Sequence, residues 1–168
     1  MGFERELVEK MRDMYEGLHH EHIKEAVDKK GIHKFIQECS LAAGATGAVA
    51  GLGGPITMVV GVPMNIINTV VQQFRVTMGV IYFKRGVVTP AFDDFMKIVG
   101  LSVGIEVGVT AGTNLLLAIA GQILARLGAN AAGMVVPIFG AAIGGGANYL
   151  FIRAIGKTLL NLDMRRIL

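Results

Sequence analysis

Residues 39–74, CSLAAGATGAVAGLGGPITMVVGVPMNIINTVVQQF, form a run of 36 residues without one Asp, Glu, Lys or Arg. That is long enough to cross a bilayer. It is not one smooth span, because Gly51-Leu52-Gly53-Gly54-Pro55 is a strong turn signal and Pro55 suits the first position of a new helix. The turn divides the run into a small-residue helix over about 32–50 and a second helix over about 56–84. Gly61 and Pro63 predict a kink near 60–63. Asn65, Asn68, Gln72 and Gln73 make the second helix a poor one to face lipid, and Lys84-Arg85-Gly86 ends it.

Upstream, Phe3, Leu7, Met11, Met14 and Leu18 recur with the period of an amphipathic helix. Gly17 and the run His19–His22 predict a break, and Lys29-Lys30-Gly31 a C-terminal stop. Downstream, Thr89-Pro90 opens a short helix with Asp93 and Asp94 in its first turn. Two apolar segments follow: 98–125, whose one charge is Glu106, and 127–152, which has none. The stretch 128–133 joins them, and Pro137 starts a last helix reaching about 162. Nothing alternates with period two. The expectation is an all-α compact bundle of five to seven helices, with an amphipathic N-terminal arm over 1–31 and a glycine-rich helical domain over 32–168.

Glycine spacing gives the sharpest signal. Gly100, Gly104, Gly108 and Gly112 recur every four residues. On a helix such a repeat makes one narrow groove for close backbone approach. Ala43, Gly47 and Gly51 repeat the device, as do Gly140 and Gly144. Each interior glycine costs about 0.5–1 kcal/mol relative to alanine, so close helix–helix contact is expected in compensation.

Charge divides the chain unevenly. Residues 1–38 hold 7 Lys/Arg and 9 Asp/Glu, leaving 9 basic and 4 acidic groups for the other 130. These sparse cations, with no tryptophan, argue against nucleic acid as a partner. Hydrophobic residues at 52% exclude a disordered chain. A single cysteine, Cys39, excludes an intrachain disulfide and, with no export signal evident, points to an intracellular protein. It is expected in the cytoplasm or at the cytoplasmic membrane.

Ala42-Ala43-Gly44-Ala45-Thr46-Gly47, then Gly51-Leu52-Gly53-Gly54-Pro55, Val62-Pro63, Gln73-Phe74-Arg75 and Lys84-Arg85-Gly86, stand in a distinctive order. With Val136-Pro137-Ile138-Phe139-Gly140-Ala141-Ala142-Ile143-Gly144 and Asn148-Tyr149, the stretch 32–162 resembles the EcsC family. A helical domain appended to some bacterial GTPases has a similar rhythm. The EcsC resemblance implies a bacterial, helical, membrane-associated protein and carries over no catalytic motif. The acid that family shows before the proline of its kinked helix is replaced here by Gly61-Val62.

Candidate chemistry is thin. Pro55-Ile56-Thr57 stands where a phosphate loop needs Gly-Lys-Ser/Thr. Glu16, His19, His20 and His22 have helical spacing for metal ligands, but they lie on a solvated charged surface, so no metal and no cofactor are expected. Glu106, among apolar neighbours, needs a partner; Arg75, Arg126 and Arg153 offer charge, and Asn65, Asn68, Asn114 and Asn148 offer hydrogen bonds. An interhelical ion pair or a polar point in a ligand pocket both fit. Lys84-Arg85 and Arg165-Arg166 suit anionic headgroups. Three functions remain: a non-enzymatic membrane-associated protein that contacts lipid, a soluble bundle carrying a hydrophobic ligand such as a fatty acid, or a self-assembling homo-oligomeric subunit. Residues 107–125 and 131–152 are the fair candidates for spans.

Overall fold

The apolar stripe of the N-terminal stretch winds into α1 (Gly2–Glu16), and after a break at Gly17–His19 the chain resumes as α2 (His20–Lys30). The computed structural model describes residues 2–53, 64–106, 112–127 and 137–167; at 3, 46–53, 137–144 and 166 it gives the backbone course alone. Leu7 and Met11 of α1 and Ile23 and Val27 of α2 are buried, in one cluster with Phe35, Phe74 and Phe95 from later helices. The Tyr15 hydroxyl donates to the Pro90 carbonyl, and its ring leans on Phe95 at 4.9 Å. Residues 1–31, set apart in sequence by their charge, thus share a core with the rest.

Gly31 turns the chain at φ 81° and ψ 155°, a region open mainly to glycine, and α3 (Ile32–Gly53) follows. Two helices flank it: α4 (Met64–Arg85) and α7 (Pro137–Asn161), the latter making the most extensive helix–helix contact among the described residues. α7 runs antiparallel to α3. A Cβ placed on Gly156 would lie 2.6 Å from Ile36 Cγ2, and one on Gly44 would lie 3.0 Å from the Gly145 carbonyl oxygen. Missing side chains let these backbones approach. The same holds across α2, α3 and α4, where a Cβ on Gly79 would lie 2.7 Å from Phe35 Cε1. Lys84 Nζ donates to the Leu160 and Leu162 carbonyls at 2.9 and 2.5 Å, so this cation, assigned by sequence to headgroups, instead satisfies the C-terminal end of α7.

α5 (Phe92–Ser102) and α6 (Thr113–Arg126) complete the bundle, with a short 3-10 turn at Met164–Arg166. The fold is all-α, with seven helices and no strand among the described residues.

Here the glycine repeat departs from its helical reading. Gly100 does meet another helix, since its Cβ would lie 3.3 Å from Leu115 Cδ1. Gly104 does not continue the face: α5 ends at Ser102 and Gly104 takes φ 85°. Ile105 N donates to Gly100 O at 2.9 Å and Gly104 N to Leu101 O at 3.1 Å. Those are the paired bonds of a Schellman cap, which calls for a left-handed residue just past the helix. Gly112, at φ 61° and ψ −138°, precedes α6 and is likewise non-helical. Gly108 lies outside the described residues, as do the turn at Gly54-Pro55, the kink at 60–63 and the joint at 128–133. Gly47, Gly51, Gly140 and Gly144 fall within α3 and α7, with their packing outside what is described.

Candidate functional site

Three helices lose their charges at one level. Asn68 of α4 donates to the Ala42 carbonyl of α3 at 3.3 Å, and the Arg75 guanidinium lies 5.8 Å from the Phe35 ring centroid. α4 therefore runs antiparallel to α3, with Arg75 near the level of Glu38. On the other flank, Asn148 Nδ2 reaches the Ala43 carbonyl at 3.5 Å while Gly156 meets Ile36. That register brings Arg153 of α7 to the same level. Beyond Glu38, Arg75 and Arg153, toward the C-terminal end of α3, no charge remains on residues 39–53 of α3, 64–74 of α4 or 137–152 of α7. At 1.5 Å per residue these charge-free lengths are about 22, 16 and 24 Å. Leu41, Met64 and Leu150, exposed by 55%, 48% and 65%, all lie on this side. The other large apolar side chain described as exposed, Phe83, lies near the opposite end of α4.

The boundary itself is built from polar ties. Glu38 accepts from Lys30 Nζ at 2.8 Å; that bond, with Lys34 and Arg75 nearby, holds its carboxyl below the usual range. Arg75 donates to Gln72 Oε1 at 3.1 Å, Gln72 to Asn68 Oδ1 at 3.3 Å, and Asn68 to α3. A ladder thus climbs one face of α4. With Asn148 on the far side it grips the adjacent carbonyls of Ala42 and Ala43. Gln73 turns the other way, to Ser102 Oγ at 3.4 Å, and its buried Oε1 has no hydrogen-bond partner among the described residues.

Straddling the boundary, along the α3–α7 pair, lies an open groove of about 640 Å³. Ile36, Leu150 and Leu160 line its apolar parts; His33, Arg153, Lys157 and Asn161 supply the polar ones. Arg153 and Lys157 are four apart on α7 and so share a face. Neither forms an ion pair with a carboxylate among the described residues. No acid lines the groove.

Of the residues singled out by sequence, Arg75, Asn68 and Asn148 come together around α3. Asn65 accepts from Thr69 Oγ1 through its backbone carbonyl and does not join the ladder. Glu106 overturns its expectation of burial: it follows the Schellman cap, is exposed, and pairs with none of the three arginines among the described residues. Arg126 instead donates to the Val103 carbonyl at 3.0 Å, covering the end of α5. Asn114 is exposed near the start of α6. His20 approaches the Val88 carbonyl at 3.2 Å, and no three His, Cys, Asp or Glu gather for a metal among the described residues. Burial pushes the Cys39 thiol up to about 11, which leaves it protonated at neutral pH and a poor nucleophile.

Sequence reasoning missed His33 and Lys157. The available signal was that Arg153 and Lys157 are the two charges of α7 and lie i,i+4, on the helical face that Leu150 extends. No helix among the described residues is long and apolar enough to cross a membrane; α6, which overlaps the expected span 107–125, has 14 residues. Compared with family models, curated proteins and solved structures, the chain matches none.

Proposed function

We propose that this is a non-enzymatic, membrane-associated helical protein that contacts lipid with the uncharged end of its α3–α4–α7 layer. One observation carries the reading: three neighbouring helices shed their charges at a common level, and three exposed large apolar side chains stand beyond it. A water-facing bundle end has no physical need of such a level, because exposed helix faces normally carry charge. The charge-free lengths of about 16–24 Å fall short of the roughly 30 Å hydrocarbon core and exceed or match one leaflet. They fit an end that dips into one leaflet. The EcsC resemblance, which rests on sequence motifs, implies the same association.

The test is flotation of the full chain with phosphatidylcholine vesicles, beside the double variant Leu41→Asp/Leu150→Asp. The wild type is expected to float, and the variant to stay in the unbound fraction with its helical circular dichroism intact. Each leucine withdrawn from lipid forfeits about 1.5–3 kcal/mol, so binding should weaken by at least two orders of magnitude. A wild-type chain that is monodisperse without detergent and leaves vesicles untouched overturns the proposal. Lipid bound stoichiometrically in such a preparation would favour the carrier of a hydrophobic ligand instead.

A further inference from the structure

The groove between His33 and Lys157 lies where a membrane-dipping end would place a headgroup. When the charge boundary marks the edge of the hydrocarbon, Arg153 stands at that edge and Lys157, four residues further, about 6 Å outside it. The headgroup layer on one side of a bilayer is roughly 5–7 Å thick. Both cations therefore fall within it, while Leu150, three residues inward from Arg153, falls about 4.5 Å inside the hydrocarbon.

Of the other charges near this level, Arg75 is engaged with Gln72 and Glu38 with Lys30, and Lys34 acts on Glu38. Arg153 and Lys157 have no such acceptor among the described residues, and His33 and Asn161 add polar groups beside them. An Arg fork and a Lys ammonium converging on an acid-free hollow are chemistry for a phosphate. Resting on the membrane reading above, we propose that this groove holds the phosphate-bearing headgroup of an anionic phospholipid, with Arg153 and Lys157 on the phosphate and Leu150 beside the first acyl methylenes. The site makes lipid contact selective for headgroup charge.

The experiment measures partitioning of the full chain onto phosphatidylcholine vesicles and onto vesicles that also contain phosphatidylglycerol. The wild type, Arg153→Gln/Lys157→Gln and a control lacking two cations elsewhere, Arg5→Gln/Lys29→Gln, are compared at one ionic strength. A basic side chain near an anionic surface is worth about fivefold in binding, so the groove variant should lose about 25-fold on the anionic vesicles. On phosphatidylcholine, where the choline ammonium offsets the phosphate charge, it should match the wild type, and the control should lose less than the groove variant on the anionic vesicles.

Equal losses for groove variant and control overturn the site in favour of unspecific charge attraction. A wild type that binds both vesicles alike overturns the site and leaves the membrane reading standing. Failure to bind either vesicle removes both. Inorganic phosphate supplies the last arm: thermal stabilisation of the wild type but not the groove variant by phosphate, without preference for anionic vesicles, identifies a soluble phosphate as the ligand and overturns the lipid assignment.

Discussion

α3 and the segment from α5 to α6 are both punctuated by glycine every three or four residues, yet Gly44 of α3 serves close contact with α7 while Gly104 and Gly112 leave the helix. In α3 the residues between glycines are mostly alanine, as in Ala42-Ala43-Gly44-Ala45 and Ala48-Val49-Ala50-Gly51, and the helix continues to Gly53. Between Gly100 and Gly112 the intervening residues include Val103, Ile105, Val107, Val109 and Thr110, all β-branched. Alanine is the best helix former, whereas each β-branched residue costs about 0.5 kcal/mol and each glycine about 1. Over 103–112 those penalties reach about 5–6 kcal/mol, and the chain leaves the helix at Ser102. Among the described glycines, Gly44 in alanine-rich α3 is a packing contact, whereas Gly104 and Gly112, set among β-branched residues, are turns.

The largest test of this contrast is Gly156→Leu. Its Cβ would begin 2.6 Å from Ile36 Cγ2, an atom fixed next to the backbone of a buried residue. Overpacking a tight core costs about 1–3 kcal/mol, and a full leucine between two helices should reach the upper end, about 3 kcal/mol in urea unfolding. A loss below about 1 kcal/mol would mean that α3 and α7 have room to part.

The dryness of α3 offers a second measurement. Cys39 has its thiol raised from 9.0 to about 11, chiefly by burial, while the unfolded chain keeps the ordinary value. As pH climbs between these values the unfolded thiol ionises and the folded one does not. Stability fully present below 9.0 is therefore lost toward 11, by about 2–3 kcal/mol. Subtracting the same alkaline unfolding series for Cys39→Ala removes the contribution of lysines and tyrosines. Parallel curves for the two proteins would show that water reaches this face of α3.

How much of this was legible in the sequence follows from the same physics. The stripe Leu7, Met11 and Leu18, the stops at Gly31 and Lys84-Arg85-Gly86, and the acids opening α5 are local signals, and local signals survive folding. The all-α class followed from them. Misplacing Glu106 came from extending one helix through Val103, so a residue past a cap was treated as an interior one. The charge boundary and the groove were hidden for another reason. Glu38, Arg75 and Arg153 are far apart in sequence, and only the antiparallel registers of α3 with α4 and α7 bring them level. Periodicity states which face of a helix is apolar; it does not state how far one helix slides along another.

The smallest effect discriminates most cleanly, because its sign differs between the two readings of the repeat. If Gly104 sat inside a helix, Gly104→Ala would stabilise the protein by about 0.5–1 kcal/mol through helix propensity. At φ 85° in the Schellman cap, the alanine Cβ meets its own backbone, and the same change should cost about 1–2 kcal/mol. Space is not the obstacle, since the nearest atom to the new Cβ would be the Arg126 guanidinium at 3.4 Å, an ordinary contact. Gly104→Asn should recover part of the loss, as asparagine tolerates the left-handed region better than alanine. Gly100→Ala, inside α5 and facing side-chain atoms of Leu115 and Ile119 at 3.3 Å and beyond, should stay within about 1 kcal/mol of the wild type. Urea midpoints for the three variants settle the matter: a stabilised Gly104→Ala would restore the continuous helix and bring Glu106 back toward the interior.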